Sequence, residues 1–334
     1  METGPGIDTS PRVVFGVTLY NHAHHLRESI DSLVSRKYPD FAIVLVDDQS
    51  TDDTPRIAME YADAFPNISY HRNDRRLGLA RNWRQAYLLA RERYPGMEYF
   101  AWASDHDVWH PRWLPAMVRA LDKHPRALLA YPFSVRLTDE RNDFRKHLQS
   151  VDTWGRASAA GRLLRFVWTM KAGNMVYGLF RARALEQGGI YRTVLLPDRL
   201  LLAELSLIGE FVQVPQILWY RRYRLQVSVA RQRQAIFPEG APFHSYLPWW
   251  MVHGAVMAWQ WGIVGIGRAA GVGRLRGSLL ATTLLASYTV HEILVRPWRR
   301  LWRNHLRNLF LPRRNRFERP VRRSKLREAT PSQR

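Results

Sequence analysis

Three groups of acidic side chains stand beside apolar runs of the sequence, and they are Asp47–Asp48, Asp105–His106–Asp107 and Asp198. Adjacent carboxylates repel one another, so such pairs persist where a cation or hydrogen-bond donors meet them. Hard divalent ions such as Mg²⁺ prefer carboxylate oxygens and often bridge them to phosphates. Mn²⁺ also suits carboxylates and tolerates imidazole. These residue types indicate a metal site at which a nucleotide diphosphate could bind.

Each group also has a purely structural interpretation. Asp48 could cap the helix that follows it, and residues 105–107 could form a polar loop before the helix at Pro111. A D-x-D triplet alone is common by chance. Asp198 could cap its own helix, or it could act as a general base that deprotonates a hydroxyl nucleophile. The residues alone leave both roles of Asp198 open.

The elements that must position these groups follow from hydrophobic spacing. The pattern predicts strands at 13–19, 41–46, 68–71, 99–103, 128–132, 173–180 and 211–220, and helices at 23–36, 54–65, 77–93, 111–123 and 197–208. Strands that alternate with helices of this length indicate βαβ units and a mainly parallel sheet. Ligands of such sheets bind at the carboxyl ends of strands, which is where the first two acidic groups stand.

The composition of the chain limits the classes of protein to which it can belong. The chain has 334 residues and no Cys, which excludes disulfides and thiolate metal sites. Its first residues lack the basic and apolar regions of a signal peptide, so we expect a cytoplasmic protein. The net charge is +21, and residues 296–334 alone hold 14 Lys and Arg against 2 Glu. A basic tail of this kind can meet nucleic acid or anionic lipid.

Two apolar stretches of roughly 20 residues, 247–267 and 277–295, approach the length that spans a bilayer. Gly residues interrupt the first stretch, and Arg268, Arg274 and Arg276 lie between the two. We expect residues 243–334 to attach peripherally to a membrane through interfacial Trp side chains and the basic tail. A transmembrane hairpin is the second interpretation, and a helical subdomain with a basic tail is the third.

Several ordered motifs together resemble family 2 glycosyltransferases of the GT-A fold. They are VTLYN, VDDQSTDDT, LGLARN, SDHDVWHPRWL, PDRLLLAEL and VPQILWYRR, and they cover residues 12 to about 225. The resemblance implies an α/β, Rossmann-like, mainly parallel sheet flanked by helices, with a C-terminal helical, membrane-proximal extension. The expected organisation is a flexible leader at 1–11, a GT-A domain at 12–230, an apolar helical extension at 231–295 and a basic tail at 296–334.

The resemblance also implies which residues bind the nucleotide. In the family, the end of the first strand and the DD pair hold the base, which assigns Thr18, Tyr20 and Asp48. The arginine of the LGxARN segment contacts the nucleotide, which assigns Arg81. One position of the D-x-D-like segment holds the ribose, which assigns Asp105.

Metal binding and catalysis are implied by the same resemblance. The D-x-D-like segment places the metal ligands within Asp105, His106 and Asp107. His106 stands where the family commonly has an acid, so either His106 or Asp107 supplies the expected ligand. The acid at the head of the later helix is the family's usual base, which assigns Asp198. Mg²⁺ or Mn²⁺ is the expected cofactor.

The implied activity is a metal-dependent glycosyltransferase of cell-envelope glycan synthesis, with a nucleotide-sugar donor and a glycan or lipid-linked hydroxyl acceptor. Inversion by a single displacement comes with the resemblance. We expect attachment to the anionic inner face of a membrane, no nucleic-acid partner, and a mobile loop at 139–165 on the acceptor side. The alternative is an inactive scaffold that binds anionic lipid or nucleic acid. Carboxylates in the cleft disfavour it. A nucleotidyltransferase would carry a glycine-rich basic loop where TLYNHAHH stands.

Overall fold

The computed structural model describes residues 10–35, 38–137, 146–147, 152–156, 158–169, 173–222, 228–295 and 297. The chain forms two units, Met1–Tyr288 and Thr289–Arg334. The expected leader falls mostly outside the described residues, and the expected basic tail falls there almost entirely. All the acidic groups discussed above belong to the first unit.

The strands are β1 (Val13–Leu19), β2 (Phe41–Asp47), β3 (Ile68–Arg72), β4 (Tyr99–Ser104), β5 (Val108–Trp109), β6 (Ala127–Leu137), β7 (Lys146–His147), β8 (Leu179–Arg181) and β9 (Glu210–Arg222). The helices are α1 (Ala23–Val34), α2 (Thr54–Ala64), α3 (Leu79–Arg93), α4 (Trp113–Lys123), α5 (Ala159–Thr169), α6 (Ala182–Gln187), α7 (Pro197–Ile208), α8 (Val229–Ile236), α9 (Trp249–Met257) and α10 (Arg274–Thr289). This α/β architecture confirms the predicted fold class.

The strands form one sheet in the order β3-β2-β1-β4-β8-β6-β9-β5, with β7 paired to β6. Strands β3, β2, β1 and β4 run parallel to one another, and β6 runs parallel to β9. Strand β8 is antiparallel to both of its neighbours. Because β1 lies between β2 and β4, the carboxyl ends of these three strands meet at one edge of the sheet.

Helices cover both faces of the sheet. Successive side chains of a strand point to opposite faces, so Val14 belongs to one buried cluster and Phe15 to the other. The cluster around Val14 includes residues of α3, α5 and α7, and the cluster around Phe15 includes residues of α1, α2 and α4. Burial on both faces explains why the parallel strands read as continuous apolar runs.

Two predicted elements differ from the structure. Residues 159–169 form helix α5, so the predicted loop at 139–165 is wrong over its last residues, 159–165. The physical reason is an apolar stripe, Leu163, Phe166 and Val167, that is buried in the core. The predicted strand at 173–180 is a 3-10 turn, Asn174–Tyr177, followed by the short strand β8.

The segment after β9 is helical and partly shares the core of the first unit. Met257, Trp261 and Leu284 are buried in the same cluster as α7. The His253 imidazole is also buried and bonds through Nε2 to the Leu195 carbonyl oxygen at 2.8 Å. A transmembrane hairpin with 247–267 as its first span would have to expose Met257, Trp261 and His253 to lipid.

Candidate active site

Two turns at the edge of the sheet are tied together by hydrogen bonds. After β1, the Asn21 side chain accepts from the backbone N–H of Thr51 at 2.7 Å. Asp52 accepts from the backbone N–H of Ala23 at 3.0 Å and from that of Thr54 at 3.0 Å, so one carboxylate joins the starts of α1 and α2. These bonds fix the backbone on both sides of His22.

The paired acids after β2 have different roles. Asp47 is fully buried and accepts from the Ser50 backbone N–H and the Tyr70 hydroxyl, both at 3.0 Å, so it holds its turn together. Asp48 accepts from the backbone N–H groups of Leu77 at 2.6 Å and Gly78 at 2.9 Å, and it also contacts a cavity. Asp48 therefore holds the turn before α3 in place and does not cap α2.

A cluster of one carboxylate and two imidazoles lies where β1 and β4 end. Asp105 Oδ1 lies 2.6 Å from His22 Nδ1 and 2.7 Å from His106 Nδ1, while its Oδ2 accepts from the Tyr20 backbone N–H at 2.9 Å. Burial would raise the pKa of Asp105, but the bonds from His106 and His22 outweigh it and hold that pKa well below its usual range. The carboxylate is therefore ionised at neutral pH.

Asp107 accepts hydrogen bonds from β9, and its Oδ1 lies 3.9 Å from His106 Nε2 of this cluster. Its Oδ1 accepts from the Arg222 backbone N–H at 2.8 Å, and its Oδ2 accepts from Trp219 Nε1 at 3.1 Å. Burial raises the pKa of Asp107 against the effect of nearby His106. The Arg222 guanidinium also donates to the His106 carbonyl oxygen at 3.0 Å, so β9 holds the 106–107 turn in place.

A cavity of about 350 Å³ adjoins the carboxylate–imidazole cluster. Its walls include Thr18, Tyr20, Asp48 and Asp105, which the family resemblance assigned to the nucleotide. The structure therefore brings these four predicted residues together around one space.

The arginine of the cavity is Arg76. Its guanidinium lies 4.2 Å from the centroid of the Tyr20 ring, and its Nε has no hydrogen-bond partner within the described ranges. Arg81 is exposed and is not part of the cavity wall. The role assigned to Arg81 stays a prediction, and Arg76 is the arginine that lines the cavity among the described residues.

Aromatic rings connect the cavity with Asp198. Trp83 and Tyr177 both line the cavity, with ring centroids 5.2 Å apart. Burial raises the pKa of Tyr177, and the charge of Asp198 adds to that rise. Burial also raises the pKa of Tyr191, whose ring lies 4.9 Å from Trp83, and the charge of Asp198 adds to that rise. Both tyrosines therefore interact electrostatically with the Asp198 carboxylate.

Asp198 lies in the first turn of α7 but does not cap it. The cap residue is Leu196, at φ +52°, whose own side chain makes no capping hydrogen bond. A non-glycine residue at positive φ is strained, and such strain clusters at functional sites. Burial raises the pKa of Asp198, and the Arg199 charge only partly offsets it. A Cβ built on Gly173 would fall 1.4 Å from Asp198 Oδ2, so only glycine fits there.

The sequence reasoning missed three residues of this site, namely His22, Arg76 and Tyr177. The signal for His22 was available, because parallel neighbours β1 and β4 must end at the same edge and His22 follows β1 closely. Arg76 reads as a solvated residue in RRLGLARN, and only the folded turn places it over Tyr20. Tyr177 follows from a 3-10 turn that the sequence pattern presented as a strand.

The chain belongs to glycosyl transferase family 2, whose sequence profile matches residues 15–188. It is 30% identical over 114 residues to the uncharacterized glycosyltransferase RT0329 of Rickettsia typhi, which covers 34% of this chain and 33% of that protein. It is 31% identical over 114 residues to the uncharacterized glycosyltransferase RP339 of Rickettsia prowazekii, with the same coverages. The match thus spans about a third of the length of these relatives.

Solved structures agree on the fold. Residues 1–349 of S. aureus TarS, crystallised with UDP-GlcNAc, superpose with a TM-score of 0.58 at 15% identity, covering 86% of this chain and 77% of that one. A second crystal structure of the same fragment gives a TM-score of 0.53 at 15% identity, covering 86% of this chain and 92% of that one. These superpositions show the shared GT-A architecture. A sequence identity of 15% carries no information about the substrates of this chain.

Proposed function

We propose that this protein transfers a sugar from a nucleoside diphosphate donor to a hydroxyl group of a glycan or lipid-linked acceptor, with inversion at the anomeric carbon. The observation that carries the proposal is the cavity that Thr18, Tyr20, Asp48 and Asp105 share, because these are the positions that the motif resemblance assigns to the nucleotide. The cavity volume of about 350 Å³ suits a small-molecule ligand.

The chain's own groups divide the work of binding and catalysis. Asp48 and Tyr20 bind the base, and Arg76 supplies a cation for the diphosphate, with which a guanidinium can form bidentate bonds. Asp198 takes the proton of the acceptor hydroxyl while that oxygen attacks the anomeric carbon from the face opposite the leaving group. Its raised pKa suits this role, because a base works best when its pKa approaches the operating pH.

The cluster of His22, Asp105 and His106 fits a divalent metal ion. Its ligand atoms lie within 4.8 Å of one another, and all three residues line the cavity. Mg²⁺ or Mn²⁺ bound there would neutralise negative charge on the departing nucleoside diphosphate. Asp105 is ionised at neutral pH, as a metal ligand must be.

The activity can be tested without knowing the acceptor. A panel of nucleotide sugars is incubated with the purified chain and Mn²⁺ or Mg²⁺, and slow donor hydrolysis is measured. We expect one nucleoside diphosphate sugar to be hydrolysed and the matching nucleoside diphosphate to inhibit. If no nucleotide sugar is hydrolysed and no nucleoside diphosphate binds in calorimetry, the inactive scaffold becomes the better reading.

We expect Arg76→Ala to weaken binding of the nucleoside diphosphate by about 10- to 100-fold, because a hydrogen bond to a charged group contributes about 1.5–3 kcal/mol. Arg81→Ala is the matched variant, since Arg81 lies on the exposed side of the same helix start. Calorimetric titration measures both. A loss confined to Arg81→Ala would restore the assignment that the motif suggests and contradict the role of Arg76.

We further propose that the protein is cytoplasmic and attaches peripherally to the inner face of a membrane through the segment after β9. Large exposed apolar side chains of this segment support it, and they are Phe243 (79% exposed), Tyr246 (63%), Met251 (44%), Trp259 (56%) and Ile263 (59%). One helix of the described residues, Arg274–Val295, is long and apolar enough to cross a bilayer. The burial of His253 and Trp261 disfavours the 247–267 arm of a hairpin.

We expect the chain to float with vesicles that contain anionic lipid, and Ile263→Ser or Trp259→Ser to reduce the floated fraction. Leu88→Ser is the control, because Leu88 is 41% exposed and belongs to α3, which is far in sequence from the segment after β9. High salt should release a peripheral protein, and detergent alone should release an integral one. Equal recovery in the soluble fraction with and without vesicles would refute membrane attachment.

A further inference from the structure

The candidate metal ligands at the edge of the sheet are two imidazole nitrogens, from His22 and His106, and one carboxylate oxygen, from Asp105. His22 Nδ1 and His106 Nδ1 approach the same oxygen of Asp105, at 2.6 and 2.7 Å, and the two imidazole rings lie 4.7 Å apart. The D-x-D resemblance assigned the metal to residues 105–107. In the structure the third member of this set is His22 instead of Asp107, and His22 lies in the turn between β1 and α1.

Asp107 is already committed elsewhere. Both of its oxygens accept hydrogen bonds from β9, through the Arg222 backbone and the Trp219 indole. Turning it toward the cluster would break both bonds in a buried place, which costs about 1–3 kcal/mol for each group left without a partner. Asp107 therefore holds its turn, and the ligand role passes to His22.

The groups that carry the ligands are themselves held in place. The His22 backbone N–H donates to the Thr54 hydroxyl at 3.3 Å, and Asp52 fixes the start of α1 directly after it. Asp105 is oriented by the Tyr20 backbone N–H. Because such supporting bonds orient ligands, the three donor groups are already held close together, and an ion would replace the hydrogen bonds between them.

We propose that His22, Asp105 and His106 form a two-histidine, one-carboxylate site that selects a first-row transition ion over Mg²⁺. Imidazole suits such ions, whereas Mg²⁺ favours an octahedron of oxygen ligands. All three residues line the cavity, so a metal held by them would lie beside the donor diphosphate. That the neighbouring ligand is a diphosphate rests on the proposed function, whereas the three protein ligands do not depend on it.

Mn²⁺ provides the direct probe, because its electron spin echo is modulated by directly bound ¹⁴N nuclei. With the full chain and Mn²⁺, we expect modulation from two imidazoles, and a large excess of Mg²⁺ should displace Mn²⁺ poorly. His22→Asn and His106→Asn should each remove one nitrogen and weaken Mn²⁺ binding by about tenfold or more. His24→Asn is the control, because His24 is exposed and its ring lies 6.4 Å from that of His22.

The outcomes separate the metal site from the proposed function. Bound Mn²⁺ without ¹⁴N modulation, or displacement by equimolar Mg²⁺, would overturn the site in the unaltered chain, with no variant needed. Donor hydrolysis that Mg²⁺ supports fully and His22→Asn leaves intact would also overturn it, yet keep the glycosyltransferase. Two-nitrogen ligation without any nucleotide affinity would support the metal site and contradict the proposed function.

Discussion

Replacing Asp198 by Asn is expected to lower the rate of sugar transfer by about 10²- to 10⁴-fold, the usual range for removal of a general base. Nucleotide binding should be retained, because Asp198 is not among the residues that line the cavity. The rate is measured under single-turnover conditions with saturating donor, and folding is followed by thermal unfolding. Asp63→Asn, an exposed acid of α2, is the control.

The pH dependence gives a second check on Asp198. A base acts when deprotonated, so the rate should rise with pH through the pKa of Asp198. Burial raises that pKa, so the acidic limb should lie above the value of about 3.9 typical of an exposed Asp. The limb should vanish in Asp198→Asn. A variant that transfers sugar normally but unfolds at lower temperature would contradict the catalytic role and favour a structural one.

The position of the carboxylate can be tested while its chemistry is kept. Gly173→Ala would force a methyl group against Asp198 Oδ2. A displacement of about 1 Å can cost about 10²-fold in rate, so we expect a loss of that order without loss of nucleotide binding. Gly273→Ala is the matched variant, because a Cβ at Gly273 would meet no atom within 4 Å. Similar rates for the two variants would show that the carboxylate can move freely.

Glu204→Ala is expected to lower the free energy of unfolding by about 3–5 kcal/mol, the usual cost of leaving a buried charge without its partner. Glu204 is fully buried in α7, and it lies 2.8 Å from Arg192 Nη2. The Trp261 indole donates to the same carboxylate at 3.2 Å. Burial raises the pKa of Glu204 to about 7, so the measurement is made at pH 8, where the carboxylate is ionised.

Urea denaturation followed by Trp fluorescence measures this change. Glu60→Ala is the control, because Glu60 belongs to exposed ion pairs, which contribute little to stability. Replacing both Glu204 and Arg192 by Leu should recover much of the loss, since the double change leaves no unpaired charge. A midpoint for Glu204→Ala equal to that of the unaltered chain would show that Arg192 finds another partner at no cost.

Much of the fold follows from the sequence because the parallel strands are buried on both faces. Strand β1 and helix α7 have the predicted bounds, since the apolar run of the strand and the Pro-initiated, largely buried helix both end sharply. Helix α5 was missed because its Arg and flanking Gly residues suggested a loop. One of those arginines, Arg162, is in fact buried and donates to the carbonyl oxygens of Ser206 and Leu207, both at 2.8 Å, where α7 ends.

The site was predictable to the extent that it depends on strand order. Asp48 follows β2 and Asp105 follows β4, the parallel strands on either side of β1, so their convergence follows from topology. The position of Arg76 depends on the turn that Asp48 holds. Asp107 bonds to Arg222 of β9, more than 100 residues later in the chain, and does not bond to Asp105. Such contacts are set by tertiary packing and leave no local pattern to read.

The family profile ends at residue 188, whereas the helix that carries Asp198 depends on groups from much later in the chain. Trp261 bonds to Glu204 within that helix, and His253 bonds to Leu195 just before it. Helix α7 and these later partners therefore form one block that begins after the profile ends.

A chimaera that joins residues 15–188 to the C-terminal part of another family member would keep that block together. The contacts at risk are those that cross residue 188, from Arg162 to the Ser206 and Leu207 carbonyl oxygens and from Gly173 to Asp198. Recombination between such genes should succeed only when those crossing contacts are preserved.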